Sequence, residues 1–283
     1  MNKILAIIFA ILFAFNAFLC VKSITDSGKG QDALADAVFI TDGVVDEANE
    51  GRLVVVTGPI RVSAEAYDEE TELTLETALG AKHTETLKYE YIDKETNNKV
   101  TSPDFGLSTL DFNKKYRMEE RWTPEPEEYV YGAAWIGDFY ITEDLLIPLL
   151  NSERLGVETF WQDELDESPY YYYFEGDDIF FSLSDPDNMQ EGDKRVSYRG
   201  ITVKEDTDYT IVGIQKSKYL YRPSDMGIAT CIFEGEKSLS DLSSGEARTG
   251  AMAAIFYGVL AVLFLVLSLW KFEVFEKISA RKR

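Results

Sequence analysis

Two long apolar stretches lie near the ends of the chain. Residues 4–21 are apolar except for Asn16, and residues 250–270 have only Tyr257 and Ser268 as polar side chains. An α-helix of about 20 apolar residues is long enough to cross the hydrocarbon layer of a bilayer. The pattern therefore predicts one transmembrane helix near each end, the first being either a signal anchor or a cleaved signal peptide.

Between these stretches, polar and apolar positions alternate in short runs that are typical of half-buried β-strands. Two runs flank Gly58 and Pro59 and predict a hairpin. One helix is predicted over residues 141–150, with Thr142 as its N-cap and Pro148 near its end. The fold class predicted is α+β: a mostly β-rich extracytoplasmic domain flanked by one transmembrane helix at each end. Further strands are predicted at residues 72–79, 83–91, 179–183, 196–203, 209–215 and 228–233.

Changes in composition divide the chain into six segments. The stretches at 24–50 and 235–248 are rich in small and polar residues, which is typical of connectors. The predicted segments are an N-terminal transmembrane segment or signal anchor (1–22), a juxtamembrane linker (23–49), an acidic β-rich domain (50–234), a second linker (235–249), a transmembrane helix (250–270) and a basic cytoplasmic tail (271–283).

The net charge of −22 is concentrated between the two apolar stretches. The first stretch is preceded only by Lys3, and the tail after Trp270 carries five basic and two acidic residues, so residues 21–270 carry −26. A surface of this charge repels phosphate backbones, which excludes a nucleic-acid partner.

The basic residues indicate the orientation in the membrane. Trp270 and Lys271 lie where the second helix would meet the membrane interface, and the chain closes on Arg281, Lys282 and Arg283. Positive charges flanking a span favour the cytoplasmic side. We therefore expect an integral membrane protein with a cytoplasmic C-terminus and a domain that is periplasmic, extracellular or lumenal.

Small residues recur at every fourth position of the second stretch. Gly250, Ala254 and Gly258 would line one helix face and let another helix approach closely. The first apolar stretch is the expected packing partner within the lipid bilayer, and self-association through the same helices is a further possibility.

The sequence contains little catalytic chemistry. His83 is the one histidine, which excludes a metal site of several imidazoles, and no Gly-x-Ser-x-Gly elbow is present. Cys20 lies in an apolar stretch apart from Cys231, so we expect no disulfide between them. No catalytic residue, metal site or cofactor is predicted, and the protein is interpreted as a non-enzyme.

Two further runs leave alternatives open. The acidic run between Asp177 and Asp193 offers oxygen ligands, but Pro186 and the missing final glutamate break the EF-hand pattern, so a solvated turn is preferred and ion binding stays open. Four consecutive tyrosines begin at Tyr170 and are followed by Phe174. In a strand, half of these rings would face the core, while the others could form a platform for a partner.

Several motifs, in the same order and at similar spacing, resemble the transmembrane protein 43 family. They are Asn49, Glu50, Gly51 and Arg52 leading to Gly58, the stretch around His83, and Gly192, Asp193, Arg195 and Val196 after an acidic aromatic run.

The resemblance implies a large lumenal or extracytoplasmic domain, membrane organisation and no catalytic residues. Relatives with several membrane helices after the domain differ from this chain, in which one span and a basic tail follow it. We expect a non-enzymatic membrane-anchored scaffold or membrane-organising protein that presents its extracytoplasmic domain to protein partners of unknown identity. The alternative is an envelope hydrolase or cation-binding enzyme that uses acidic residues of the domain.

Overall fold

The computed structural model describes residues 2–204 and 206–281, with side chains described for residues 4–204 and 206–273. The chain forms two compact units. The first comprises Met1–Ile60, Ile136–Leu145 and Glu205–Arg283, and the second comprises Arg61–Trp135 and Leu146–Lys204.

The helices differ greatly in length. Two of them are long and apolar enough to cross a membrane, with candidate spans at Ile4–Ala35 and Leu239–Glu273. The helices are α1 (Asn2–Ala35), α2 (Thr109–Lys115), α3 (Glu143–Leu146), α4 (Gln162–Glu167) and α5 (Leu239–Arg281).

The strands are β1 (Val38–Ile40), β2 (Leu53–Ala64), β3 (Ala66–Asp68), β4 (Leu73–Leu75), β5 (Leu79–Asp93), β6 (Lys99–Val100), β7 (Tyr116–Pro124), β8 (Glu128–Tyr131), β9 (Ala133–Ile136), β10 (Phe139–Ile141), β11 (Tyr171–Glu175), β12 (Asp178–Ser182), β13 (Lys194–Gly200), β14 (Asp208–Lys216), β15 (Tyr219–Tyr221) and β16 (Ile232–Glu234). The predicted α+β class, β-rich between two helices long enough to span a membrane, is confirmed.

Both long helices extend beyond their apolar stretches. Residues 24–35, expected to belong to a linker, continue α1 as helix, and residues 239–249 form the first turns of α5. The start of α5 is capped reciprocally: the Asp241 N–H donates to the Ser238 hydroxyl at 3.2 Å, and the Ser238 N–H donates to the Asp241 carboxylate at 3.0 Å. This capping satisfies two backbone donors that a helix start leaves without partners.

The strands of the first unit belong to a seven-stranded sheet, called here the first sheet. Its order is β1-β2-β9-β10-β15-β14-β16. An additional antiparallel pairing of β14 with β2 closes part of it into a ring. The predicted hairpin at Gly58 and Pro59 is wrong, because β2 runs straight through both residues. Pro59 pairs with Asp208 at the last position of the β14–β2 ladder, where a missing N–H interrupts little of the hydrogen-bonding.

The second unit is built around β5, a strand of 15 residues. Its main sheet, called here the second sheet, has the order β11-β12-β13-β5-β6, and β7 and β8 also pair with β5. One face of this sheet covers a core in which Phe160, Phe181 and Tyr198 pack against Leu73 and Leu75. The strand predicted at residues 83–91 is therefore the middle of the longest strand in the described chain.

The predicted helix at 141–150 is shorter than expected. Only Glu143–Leu146 is α-helical, and a 3-10 turn over Ile147–Leu149 follows it. Pro148 lies inside that turn, where its ring prevents the α-helix from continuing. Helix α2 and strand β7 did not follow from the sequence patterns, because their polar residues outnumber the apolar ones.

Candidate functional site in the helix pair and the second sheet

Helices α1 and α5 pack against each other in antiparallel directions. Near one end, the Ser268 hydroxyl donates to the Ala6 carbonyl oxygen at 3.0 Å. Farther along, the Cys20 thiol donates to the Ala254 carbonyl oxygen at 3.3 Å. Each contact joins a neutral side chain to the backbone of the other helix, as is common between helices in lipid.

The structure places the predicted small residues on the face of α5 that contacts α1. A Cβ at Gly250 would overlap the Ser27 side chain, lying 2.5 Å from its hydroxyl oxygen, and a Cβ at Gly258 would lie 3.8 Å from the Cys20 sulfur. Ala254 is buried between them. The close approach of the helices therefore depends on the absence of a larger side chain, above all at Gly250.

A buried carboxylate lies at the end of the helix pair nearest the sheet of the first unit. Glu246 is 4% exposed, and its carboxylate accepts hydrogen bonds from the backbone N–H groups of Ala229 and Thr230 at 3.1 and 3.2 Å. The Ser27 hydroxyl donates to the Glu246 carbonyl oxygen at 3.0 Å. One residue of α5 thus joins α1 to the segment that precedes β16.

Glycines allow the same segment to lie directly against α1. A Cβ at Gly30 would come within 2.6 Å of the Gly227 carbonyl oxygen, and Gly227 itself has a φ of +73°. Leu34, one turn after Gly30 in α1, and Leu242, one turn before Glu246 in α5, are also buried. A side chain at Gly30 would push the backbone away, since carbonyl oxygens in a packed segment cannot yield as a flexible side chain does.

The predicted membrane-interface residues are only partly described. The Lys271 ammonium lies 4.3 Å from the centroid of the Trp270 ring, a cation–π contact, and Trp270 is exposed. The helix continues to Arg281, whose side chain is not described, and Lys282 and Arg283 lie outside the described residues. Their role at the interface stays a prediction.

The first family motif forms a turn that is held to the C-terminal end of β14 and to Ser217 after it. The Gly51 N–H donates to the Gln215 carbonyl oxygen at 2.8 Å, and the Gln215 N–H donates to the Arg52 carbonyl oxygen at 3.0 Å. The Glu50 carboxylate accepts from the Ser217 N–H at 2.7 Å. These contacts anchor the chain where it enters β2.

The backbone conformation of the first family motif explains why some of its residue types occur where they do. Gly51 has a φ of +74°, a backbone conformation that side chains disfavour. Asn49 is buried, and its N–H donates to the Asp46 carbonyl oxygen at 3.0 Å in a 3-10 turn. Gly58 pairs with Tyr209 within the β14–β2 ladder. The structure gives each of these residues a contact that shapes the backbone.

The later family motif begins with a turn before β13. Gly192, at a φ of +97°, donates its N–H to the Leu87 carbonyl oxygen at 2.9 Å, and the Leu87 N–H donates to the Asp193 carbonyl oxygen at 2.8 Å. The Asp193 carboxylate accepts from the Gln190 N–H at 2.7 Å. The turn is therefore held by two hydrogen bonds to β5 and by one within itself.

Arg195 is the buried residue of this motif on the face of the sheet opposite the core. Its guanidinium carbon lies 4.2 Å from the Phe180 ring centroid and 4.3 Å from the Trp122 ring centroid. The guanidinium also forms ion pairs with Glu85, at 2.8 Å, and with Glu175. This region of the sheet thus holds a cation between aromatic rings and carboxylates.

The remaining motif residues, Val196 and His83, have different surroundings. Val196 is part of the core, whereas His83 lines a polar cleft of about 870 Å³ together with Arg154 and Arg199. Its Nε2 lies 3.8 Å from a carboxylate oxygen of Glu85. Among the described residues, no serine, threonine or cysteine side chain forms a hydrogen bond with His83, and no group of three or more His, Cys, Asp and Glu side chains is arranged to hold a metal ion.

A buried charged network in the second unit was missed from the sequence. The Lys82 side chain is 3% exposed, and its ammonium lies 2.9 Å from the Asp68 carboxylate and also contacts Glu70. The Tyr198 hydroxyl donates to Asp68 and lies 2.6 Å from the Thr71 hydroxyl. Alternating apolar positions mark the strands but cannot show which of many charged residues face inward.

The network perturbs the pKa of its members. Burial alone would raise the pKa of Asp68, but hydrogen bonds from Tyr198 and Lys82 outweigh it and hold the pKa below its ordinary value of 3.8. Burial would lower the pKa of Lys82, yet its bonds to Glu70 and Asp68 raise it. Burial and the nearby Asp68 charge raise the pKa of the Tyr198 hydroxyl. At neutral pH the network therefore contains a charged lysine, a charged aspartate and a neutral tyrosine.

The two apolar helices and the β-rich region between them define an integral membrane protein. The family model of transmembrane protein 43 matches residues 67–277, well over half of the chain, so the chain belongs to the transmembrane protein 43 family. The match includes His83 and the motif at Gly192–Val196 but begins after the motif at Asn49–Gly58. No curated protein and no solved structure matches the chain.

Proposed function

We propose that this protein is a non-enzymatic scaffold that presents an extracytoplasmic, β-rich region to protein partners from a two-helix membrane anchor. The observation that carries the proposal is the continuous path from the paired helices to the first sheet. Ser27 contacts Glu246, and Glu246 holds the backbone of Ala229 and Thr230. A tether made this way holds the sheet to the anchor by packing as well as by covalent linkers.

The length of the helices supports the same proposal. Helix α1 has 34 residues and α5 has 43, whereas about 20 residues cross the bilayer. Residues 24–35 and 239–249 thus form a paired stalk outside the apolar stretches. At about 1.5 Å per residue, the stalk extends roughly 17 Å beyond the apolar stretches, and the backbone at Gly227 packs along it against Asp26 and Gly30.

The orientation belongs to the proposal. We expect residues 50–234 on the extracytoplasmic side and the tail in the cytoplasm, because the basic residues gather on the terminal sides of the two spans. The test is labelling of a Ser102→Cys variant, at an exposed loop residue, with a maleimide that does not cross membranes. Burial raises the pKa of Cys231 to about 11, so this native thiol contributes little labelling. Labelling from the cytoplasmic side would overturn the orientation.

The scaffold role is tested by co-purification from native membranes in a mild detergent. The tagged full chain should retain protein partners that a variant lacking residues 50–234 loses, while both variants remain in the membrane fraction. An unchanged set of partners would overturn the proposal. A helix-only variant that leaves the membrane fraction would contradict the proposed anchor.

The helix-packing role of the small residues needs its own test. Gly250→Ala should lower the thermal midpoint in detergent, because the added Cβ meets Ser27. Gly245→Ala, in the same helix, is the matched control, since a Cβ added at Gly245 would meet no atom of a neighbouring segment within 4 Å. Alanine is favoured over glycine in a helix interior by about 1 kcal/mol, so the control should be neutral or stabilising. Equal effects at the two positions would count against the packing role.

Self-association of the chain through its transmembrane helices would use a surface other than the small-residue stripe. Within one chain α1 already covers the stripe of Gly250, Ala254 and Gly258, so a second copy would meet outward residues such as Val259 and Val262. Chemical cross-linking in membranes of the wild type and of a Val259→Asn variant distinguishes the two surfaces.

A further inference from the structure

Strand β11 is an open edge of the second sheet. It pairs with β12 on one side, from Tyr171 opposite Ser182 to Glu175 opposite Asp178, and it is the terminal strand of the sheet order. Edge strands present backbone donors and acceptors that can pair with an added strand, and proteins commonly protect such edges with lysine or proline. No lysine or proline occurs in β11.

The side chains of this edge are unusually apolar for an exposed strand. Tyr171 is 52% exposed and Phe174 is 57% exposed. Tyr173 lies on the other face from Phe174 and stacks on Phe180 at 5.8 Å between ring centroids. An added strand would therefore meet aromatic rings on both faces.

The chain segment that contains β11 is acidic, and Arg154 and Arg195, which lie just outside it in the sequence, pair with Asp178 and Glu175. Residues 155–193 contain twelve acidic residues and no lysine, arginine or histidine. A second copy of the same edge would bring like charges together, which disfavours pairing. The charge instead complements a segment that carries lysine or arginine.

A pocket beside β11 has the composition that such a side chain needs. It has a volume of about 280 Å³, and the residues that line it include the aromatic residues Trp122, Tyr173 and Phe174 and the acidic residues Glu120, Glu175 and Asp187. Aromatic faces attract cations, and carboxylates pair with them.

Arg195 of the chain itself shows that the residues around this pocket can hold a guanidinium group. Arg195 also lines the pocket, where it stacks on Trp122 and pairs with Glu175. The three pocket carboxylates outnumber this one cation, so the pocket retains negative charge for a second positive group.

We propose that β11 binds an extended, lysine- or arginine-rich segment of a partner protein, which adds a strand to the sheet and places one cationic side chain in the pocket at Glu120 and Asp187. This inference rests on the proposed scaffold function and names its class of partner. Backbone pairing along β11 supplies affinity, and the pocket supplies specificity for the cationic residue.

The experiment measures binding of fluorescent nine-residue peptides to the full chain in zwitterionic nanodiscs by anisotropy. The probe alternates lysine and threonine. One control replaces each lysine by glutamate, and another carries N-methyl groups on alternate residues, which keep the charge but block strand pairing. We expect the lysine peptide to bind at least about tenfold more tightly than either control.

Variants locate the binding surface. The double variant Glu120→Gln with Asp187→Asn should weaken binding about tenfold, and Phe174→Ala should also weaken it. The control for the charge change is the double variant Glu69→Gln with Glu95→Gln, which removes the same amount of charge at exposed positions elsewhere. The control for the ring is Phe105→Ala, at a residue that is 70% exposed. These controls should leave binding unchanged, and thermal melting should confirm that every variant is folded.

Three outcomes would overturn the inference: no binding of the lysine peptide, equal binding of the N-methylated peptide, or equal losses in the pocket and control charge variants. If partners still co-purify with the wild type in any of these cases, the scaffold function stands and only the assigned surface is wrong. Loss of partners on deletion of residues 50–234 together with peptide binding at the pocket supports both.

Discussion

The helix pair and the second sheet both bury polar groups, but they satisfy them with different chemistry. Between α1 and α5 the donors are neutral hydroxyl and thiol groups, and the acceptors are backbone carbonyls, as in Ser268 with Ala6. In the second unit the buried groups are full charges, as in Lys82 with Asp68. A charge is very costly to place in lipid, whereas a domain in water tolerates one that is paired. The difference indicates which parts of the chain face which solvent.

The largest expected effect lies in the buried charged network of the second unit. Lys82→Met removes the ammonium and leaves Asp68 buried without its cation, which should lower the free energy of unfolding by about 3–5 kcal/mol. Denaturant unfolding followed by tryptophan fluorescence measures the change. Lys88→Met is the matched control, since Lys88 is exposed on the same strand, and it should stay within about 0.5 kcal/mol of the wild type. A small effect of Lys82→Met would show that the network contributes little.

The acid dependence of the same network sharpens the contrast. Because the pKa of Asp68 in the folded protein is below its ordinary value, its contribution to stability is present above about pH 4 and is lost as the pH falls through the lowered value. Asp68→Asn should cost about 3 kcal/mol at pH 7 and less at a pH below the lowered pKa of the wild-type carboxylate. Parallel unfolding curves at the two pH values measure this, and a cost independent of pH would contradict it.

A smaller effect is expected where the helix pair meets the first sheet. Glu246→Gln retains one oxygen acceptor but turns an amide donor toward the N–H groups of Ala229 and Thr230, which should cost about 1–3 kcal/mol. Thermal unfolding in detergent detects it. Glu236→Gln, at an exposed residue before α5, should change the midpoint little. Equal shifts would mean that the buried carboxylate does not hold this segment.

The smallest effect is expected inside the apolar part of the helix pair. Ser268→Ala removes the hydroxyl that contacts the Ala6 carbonyl and should cost about 0.6 kcal/mol, the usual scale for such bonds in membranes. Ser240→Ala, in the exposed first turn of α5, provides a reference. A loss as large as that of Lys82→Met would remove the distinction between the two regions.

The sequence alone determined the two apolar helices, the β-rich region between them and the acidic charge, because these depend on composition and on the local period of apolar residues. It also marked Gly250, Ala254 and Gly258, since four-residue spacing defines one helix face whatever the partner. The family resemblance likewise needed only order and spacing of motifs.

Only the tertiary structure decided which polar residues meet. The contact between Ser27 and Glu246 joins residues far apart in the chain, as does the one between Asp68 and Tyr198. Local patterns also misjudged Gly58 and Pro59, where pairing with β14 keeps β2 straight. Whether a strand is an edge depends on all the other strands of its sheet, so the open position of β11 could not be read from Tyr171 to Glu175 alone.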